Sequence, residues 1–202
     1  MKLLRRGAGA AAWLLAGPAA WAGAVQVTVQ DTAGKPLPQA VVFLESREAR
    51  AQAKPMEGVE IAQKGRQFEP QVTVVTVGTA VTFPNRDTVR HQVYSFSQIK
   101  TFELKLYIGT PANPVTFDKA GIAILGCNIH DQMVAWVVVV DTPYHAYSAG
   151  NGLAALPQVP AGSYRLRVWH AGLPVGAPAS DQALTVGAGD QQVTVKLAGV
   201  TP

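Results

Sequence analysis

The chain has 202 residues with 17 basic and 13 acidic side chains. The first 22 residues hold three of the basic ones and no acidic one, which leaves 14 and 13 in the remainder and a net charge of +1. That balance excludes nucleic acid and an anionic membrane surface as partners recognised by charge, and a remainder of about 180 residues can form one large or two small domains.

Lys2, Arg5 and Arg6 make a short basic head, and Gly7 to Ala20 is small and apolar around Trp13, Leu14 and Leu15. Ala20-Trp21-Ala22 fits a small-x-small cleavage site. Residues 1–22 therefore read as a secretory signal peptide, too short and alanine-rich for a membrane span, and the mature protein is expected in the periplasm without a spanning segment.

Almost everything that follows reads as strand. Val25 to Gln30 alternates with period two, Asp31 to Pro38 is turn chemistry, and Ala40 to Leu44 is apolar, so residues 24–46 are expected to form a hairpin. Residues 46–56 are polar and charged, a linker with room for one helical turn. Strands are expected from Val59 towards Pro70, over Val72–Val77 and Ala80–Phe83 about a tight Gly78-Thr79 turn, and over 92–95 behind His91. Others are expected over 102–108, 115–117, 121–125 and 133–140, then at 151–153, from Val159 through Trp169, and over 192–197. This spacing, with Gly and Pro between, indicates an all-β sandwich or barrel.

Gly126-Cys-Asn-Ile-His-Asp-Gln-Met133 contains the only cysteine. A lone cysteine cannot close an internal disulfide, and an unpaired thiol in an oxidising compartment must be buried or bound. A buried thiol beside unrelated neighbours is the plain alternative. A copper electron-transfer site takes two imidazoles, one thiolate and a weak axial thioether. Cys127, His130 and Met133 can supply three of these from one loop between two strands, and His91 is placed to supply the fourth. Met133 could simply be core, and the site would then be three-coordinate or hold zinc with a water.

The ordered set resembles the blue-copper cupredoxin family: Phe68-x-Pro70, Val72-x-Val74, Gly78-x-x-Val81-x-Phe83-x-Asn85-x-Asp87-x-x-x-His91, then Gly121-x5-Cys127-x-x-His130-x-x-Met133. The short ligand loop is similar to that of amicyanin. The wider context, Lys100 to Tyr107 and Gly126 to Tyr144, resembles plastocyanin-like proteins labelled methylamine utilization proteins. The resemblance implies a Greek-key β-sandwich over residues 55–142. It implies one mononuclear type 1 copper with His91, Cys127 and His130 equatorial and Met133 axial, and Asn85 pinning the first ligand loop. Ala123 and Leu125 stand where many cupredoxins have aromatics, and Ile129 where proline is frequent.

Residues 24–46 and 143–200 resemble a carboxypeptidase regulatory-like, prealbumin-like β-sandwich. The cupredoxin would be inserted in that module or followed by it. His145 and His170 lie in this part and read better as structural residues than as a second metal site.

These readings imply a carrier of single electrons. Its partners would be a c-type cytochrome or a periplasmic dehydrogenase, docking at Ile129 and Pro143 near His130. The alternative is a periplasmic copper-sequestration or delivery protein using the same ligands, but only Met56 and Met133 remain after the signal. Catalysis is not expected. Four protein ligands leave no open position, and a thiol nucleophile would need a separate oriented base and an open cleft.

Overall fold

In the computed structural model, which describes residues 23–201, the chain alternates strands and turns almost throughout. The expected signal peptide, residues 1–22, lies outside the described residues. The strands are β1 (Gly23–Asp31), β2 (Val41–Glu45), β3 (Val59–Glu60), β4 (Ala62–Lys64), β5 (Gln67–Glu69), β6 (Val72–Thr76), β7 (Thr79–Thr82), β8 (His91–Ser97) and β9 (Lys100–Tyr107). They continue as β10 (Val115–Phe117), β11 (Gly121–Gly126), β12 (Val134–Val140), β13 (His145–Tyr147), β14 (Leu153–Val159), β15 (Gly162–Trp169), β16 (Ser180–Val186) and β17 (Gln191–Leu197). The stretch expected as a linker holds the short helix α1 (Arg47–Gln52). Ser46 caps it, its hydroxyl accepting the Ala49 N–H at 3.0 Å, the usual role of serine at this position.

Residues 24–46 do not form a hairpin. β1 pairs with β14 and, in parallel, with β17, whereas β2 pairs with β13 and β15. The Asp31–Pro38 turn carries the chain from one sheet to the facing one. Burial explains the difference. β1 buries alternate residues, Gly23, Val25, Val27 and Val29, one face of a half-buried strand, while Val41 to Leu44 of β2 are all buried. A strand covered on both faces belongs in an inner layer.

The run expected as one strand from Val59 to Pro70 is broken into three pieces. β4 and β5 are a hairpin about Gly65 and Arg66, both at φ 60°. The expected Val159–Trp169 strand divides at Pro160-Ala161 into β14 and β15, which lie in different sheets. The edge strand β13 lies between the strands expected over 133–140 and at 151–153.

Among the described residues, strands β1, β2 and β13–β17 pair only with one another, as do β3–β12. The larger sheets stack in four layers: β10-β7-β3, then β6-β12-β11-β8-β9, then β13-β2-β15-β16, then β14-β1-β17. Three apolar cores lie between them. Ile61, Phe83, Phe117, Leu125, Cys127 and Met133 belong to the first, and Val27, Leu44, Leu156 and Leu166 to the last. The middle core joins the two sandwiches through Val41, Phe43, Val138, Val140 and Trp169. β12 is the wall shared by two cores. Ala135, Val137 and Val139 face the first, Val138 and Val140 the middle one, so its uninterrupted apolar sequence follows from its position.

Phe43 is 6% exposed in that junction. Removing a buried phenylalanine ring leaves a cavity as well as lost transfer energy, so Phe43→Ala is expected to lower stability by about 3 kcal/mol in chemical denaturation.

Candidate metal centre

β11 and β12 remain paired to their ends, Gly126 opposite Val134, and the loop between them, residues 127–133, must close over the short distance separating antiparallel neighbours. Within it the Met133 N–H donates to the His130 carbonyl at 2.9 Å, so the chain doubles back between the two residues. Gly126 also faces Tyr94 on β8. A Cβ at position 126 would lie 2.6 Å from the Tyr94 ring and hydroxyl, so the residue preceding the cysteine has no room for a side chain while Tyr94 keeps its place. His91 opens β8, the strand beside β11, and topology thereby brings it to Cys127 across 36 residues of sequence.

Cys127 Sγ lies 4.0 Å from His91 Nδ1. One ligand atom each from His91, Cys127 and His130 falls within 4.8 Å of the other two, and the His91 and His130 rings are 5.0 Å apart between centroids. Three atoms so spaced leave their common centre about 2.3–2.8 Å from each, slightly wider than thiolate and imidazole bonds to a transition-metal ion. His91 is fully buried and Cys127 is 2% exposed. His130 Nδ1 is also buried and has no hydrogen-bond partner among the described residues. A buried polar nitrogen without a partner is costly, and a cation among the three donors would satisfy it. Met133 is 1% exposed in the same core as Cys127.

The outer nitrogen of His91 is also engaged. Nε2 lies 2.8 Å from Asp87 Oδ2, and that carboxylate accepts the Gly65 N–H at 2.7 Å and the Arg66 N–H at 2.9 Å from the β4–β5 turn. Burial opposes ionisation of Asp87, but the Arg66, His91 and Gly65 donors outweigh it and hold the carboxyl below its ordinary range. A carboxylate on the far imidazole nitrogen fixes ring orientation and leaves Nδ1 for the ligand side. Asp87 occurs in the motif, but sequence reasoning assigned it no role. Its four-residue spacing from His91 was the available signal.

Asn85 holds the loop between them. Its Nδ2 donates to the Val89 and Tyr107 carbonyls, both at 2.8 Å, and its Oδ1 accepts the Asp87 N–H at 3.0 Å. Beneath the site the Tyr107 hydroxyl donates to the Phe83 carbonyl at 2.6 Å. Burial pushes that hydroxyl up to about 12, with the Gln63 amide hydrogen bond opposing the shift.

The other two histidines lie elsewhere. His145 sits on β13 opposite Phe43, and burial lowers its pKa. His170 is satisfied locally: its Nε2 lies 3.0 Å from the Pro38 carbonyl, and its Nδ1 accepts the Gly172 N–H at 2.9 Å. Pro143 is not near Ile129. The Cys127–Met133 loop precedes β12 and Pro143 follows it, and seven residues of strand put about 20 Å between them. The exposed apolar residues at the ligand end are instead Ile129, Val89 and Ile108, at 48%, 38% and 59% exposure.

Among the described residues no helix is long and apolar enough to cross a membrane. No protein-family model and no curated protein matches the chain. Solved structures similar to part of it include a purple cupredoxin from Nitrosopumilus maritimus, 22% identical over 41% of this chain and 99% of that one, with a TM-score of 0.37. An amicyanin variant in its oxidised state is 26% identical over 49% of this chain and 98% of its own, at 0.37. Another amicyanin variant, in its Cu(I) form, is 25% identical over the same shares at 0.38.

Losing a hydrogen-bond partner on the far nitrogen of a ligating histidine typically weakens metal affinity 10–100-fold. Asp87→Ala is expected to weaken Cu(II) binding about tenfold or more in a competitive chelator titration, with far-UV circular dichroism unchanged.

Proposed function

We propose that this chain is a periplasmic type 1 copper protein that passes single electrons between redox partners. The observation that carries this reading is the convergence of His91, Cys127 and His130 in a buried pocket where His130 Nδ1 has no partner. Two imidazoles and a thiol are the donor set that suits copper in both oxidation states. Met133, buried beside Cys127 at the foot of the same loop, would be the axial thioether. Copper bound there would supply reversible Cu(II)/Cu(I) chemistry. The protein's part is to hold the donors still. Asp87 keeps His91 in one orientation, Asn85 ties down the loop before it, and β11–β12 pairing fixes the ends of the other loop.

The half-buried His130 is the ligand nearest solvent, and Ile129, Val89 and Ile108 offer a small apolar surface at this end of the sandwich. Such a surface suits brief contact with a c-type cytochrome or a periplasmic dehydrogenase. Residues 55–142 would be a cupredoxin module of the kind labelled methylamine utilization protein. It would be inserted in a regulatory-like sandwich formed by residues 24–46 and 143–200. This reading assigns the site no catalytic residue.

Loading the protein with Cu(II) is expected to give an intense visible thiolate-to-copper band and a narrow hyperfine splitting in electron paramagnetic resonance, both lost in Cys127→Ser. A colourless copper-loaded protein, or a spectrum indifferent to Cys127, would overturn the type 1 assignment. Met133→Leu is expected to keep the band and shift the reduction potential, because an axial ligand tunes it. If neither spectrum nor potential moves, Met133 is a core residue only.

A further inference from the structure

A cleft of about 360 Å³ opens between the two sandwiches, on the face of β11 and β12 that points away from the metal centre. We infer that it binds a small aromatic carboxylate. One wall is Trp136 and Ile122 from the five-stranded sheet, another is Trp169 and Phe43 from the facing sheet, and the segment from Leu173 to Ala179 closes a third side. That segment is held in place. The Leu173 N–H donates to the His170 carbonyl at 3.0 Å, Ala177 to Pro174 at 2.9 Å, and Thr201 to Gly172 at 2.8 Å. The volume suits a compact ligand, and sites for small molecules concentrate at such junctions between packed units. The Trp136 and Trp169 rings lie 6.0 Å apart and tilted by 54°, so their faces and edges favour a flat aromatic guest over a branched aliphatic one.

Polar groups in the cleft set the guest's charge. Arg167 lines it and lies over the Phe43 ring at 5.9 Å. Its Nη1 donates to Glu45 Oε2 at a long 3.3 Å, and its Nε is buried with no acceptor among the described residues. A guanidinium offers five N–H donors in a planar fork, and leaving one buried and unpaired is costly. The Arg167 side chain is 31% exposed, and a carboxylate entering the cleft would meet the part of the guanidinium that the long Glu45 contact leaves open, through a charge-assisted bond that a neutral guest cannot match.

Trp136 and Trp169 are the only tryptophans outside the first 22 residues, so intrinsic fluorescence of the mature protein reports on this cleft alone. Titration with 2-naphthoate is expected to give a saturable fluorescence change, with binding about tenfold tighter than for the neutral isostere 2-naphthamide. Arg167→Gln should abolish that preference while retaining naphthamide binding. No saturable change up to millimolar probe, or equal affinity for the two probes, overturns the proposal, as does a preference that survives Arg167→Gln. Should Arg167→Gln fail to fold, Glu45→Gln decides. It keeps the guanidinium and removes the competing carboxylate, so naphthoate should bind several-fold tighter, and unchanged or weaker binding overturns the proposal.

Discussion

The pairing of β11 with β12 out to Gly126 and Val134 is the constraint on which the candidate metal centre depends. Antiparallel partners sit about 5 Å apart at their ends, and the loop from Cys127 to Met133 must span that gap and no more. Cys127 and Met133 therefore emerge side by side from adjacent strands, with His130 between them at the turn. The strand pair cannot drift, because it is interior to its sheet, with β6 bound to one side and β8 to the other. His91 begins β8. A residue distant in sequence thus reaches the cysteine through the same sheet that fixes the loop.

Rigidity around the site extends through the layers. β12 carries apolar side chains on both faces because a core lies on each side of it, and the second sandwich covers the outer face with Phe43 and Trp169. The edge strand β9 shows the opposite pattern. Thr101, Glu103 and Lys105 are exposed, and charges on an edge discourage pairing with another chain. The contrast between these two strands follows from place in the sheet, since both are β-structure with favourable residues. The cleft belongs to the same design. Where the two sandwiches part beyond Trp136 and Trp169, packing alone does not satisfy the Arg167 guanidinium.

What could be read from the residues divides along a physical line. Local features were legible: the all-β class, most strand positions, and the spacing of cysteine, histidine and methionine between two apolar runs. Strand partners were not. Asp31 to Pro38 has the same turn composition whether the chain folds back in one sheet or crosses to the facing one. The signal that separates these cases is the uninterrupted apolar run Val41–Leu44 beside the alternation of Val25–Gln30. β13 is too short to carry a period. Pro143 lies away from the site because the seven residues of β12 separate it from the Cys127–Met133 loop. Asp87 looks like any turn residue until its carboxylate is seen against His91 Nε2.

The lone cysteine can be weighed on the same terms. A thiol at 2% exposure needs no companion, since it packs as a small apolar group. Imidazoles do not behave this way. Bringing His91 into full burial and His130 Nδ1 to a buried position without a partner removes polar nitrogens from water and returns nothing for the second. One such nitrogen could be incidental. Two imidazoles turned towards one buried thiol, the first oriented from behind by a carboxylate that itself accepts two backbone N–H groups, form a donor set whose desolvation cost a cation among the three would offset. On that balance, the histidines rather than the cysteine make the metal reading stronger than that of a buried thiol.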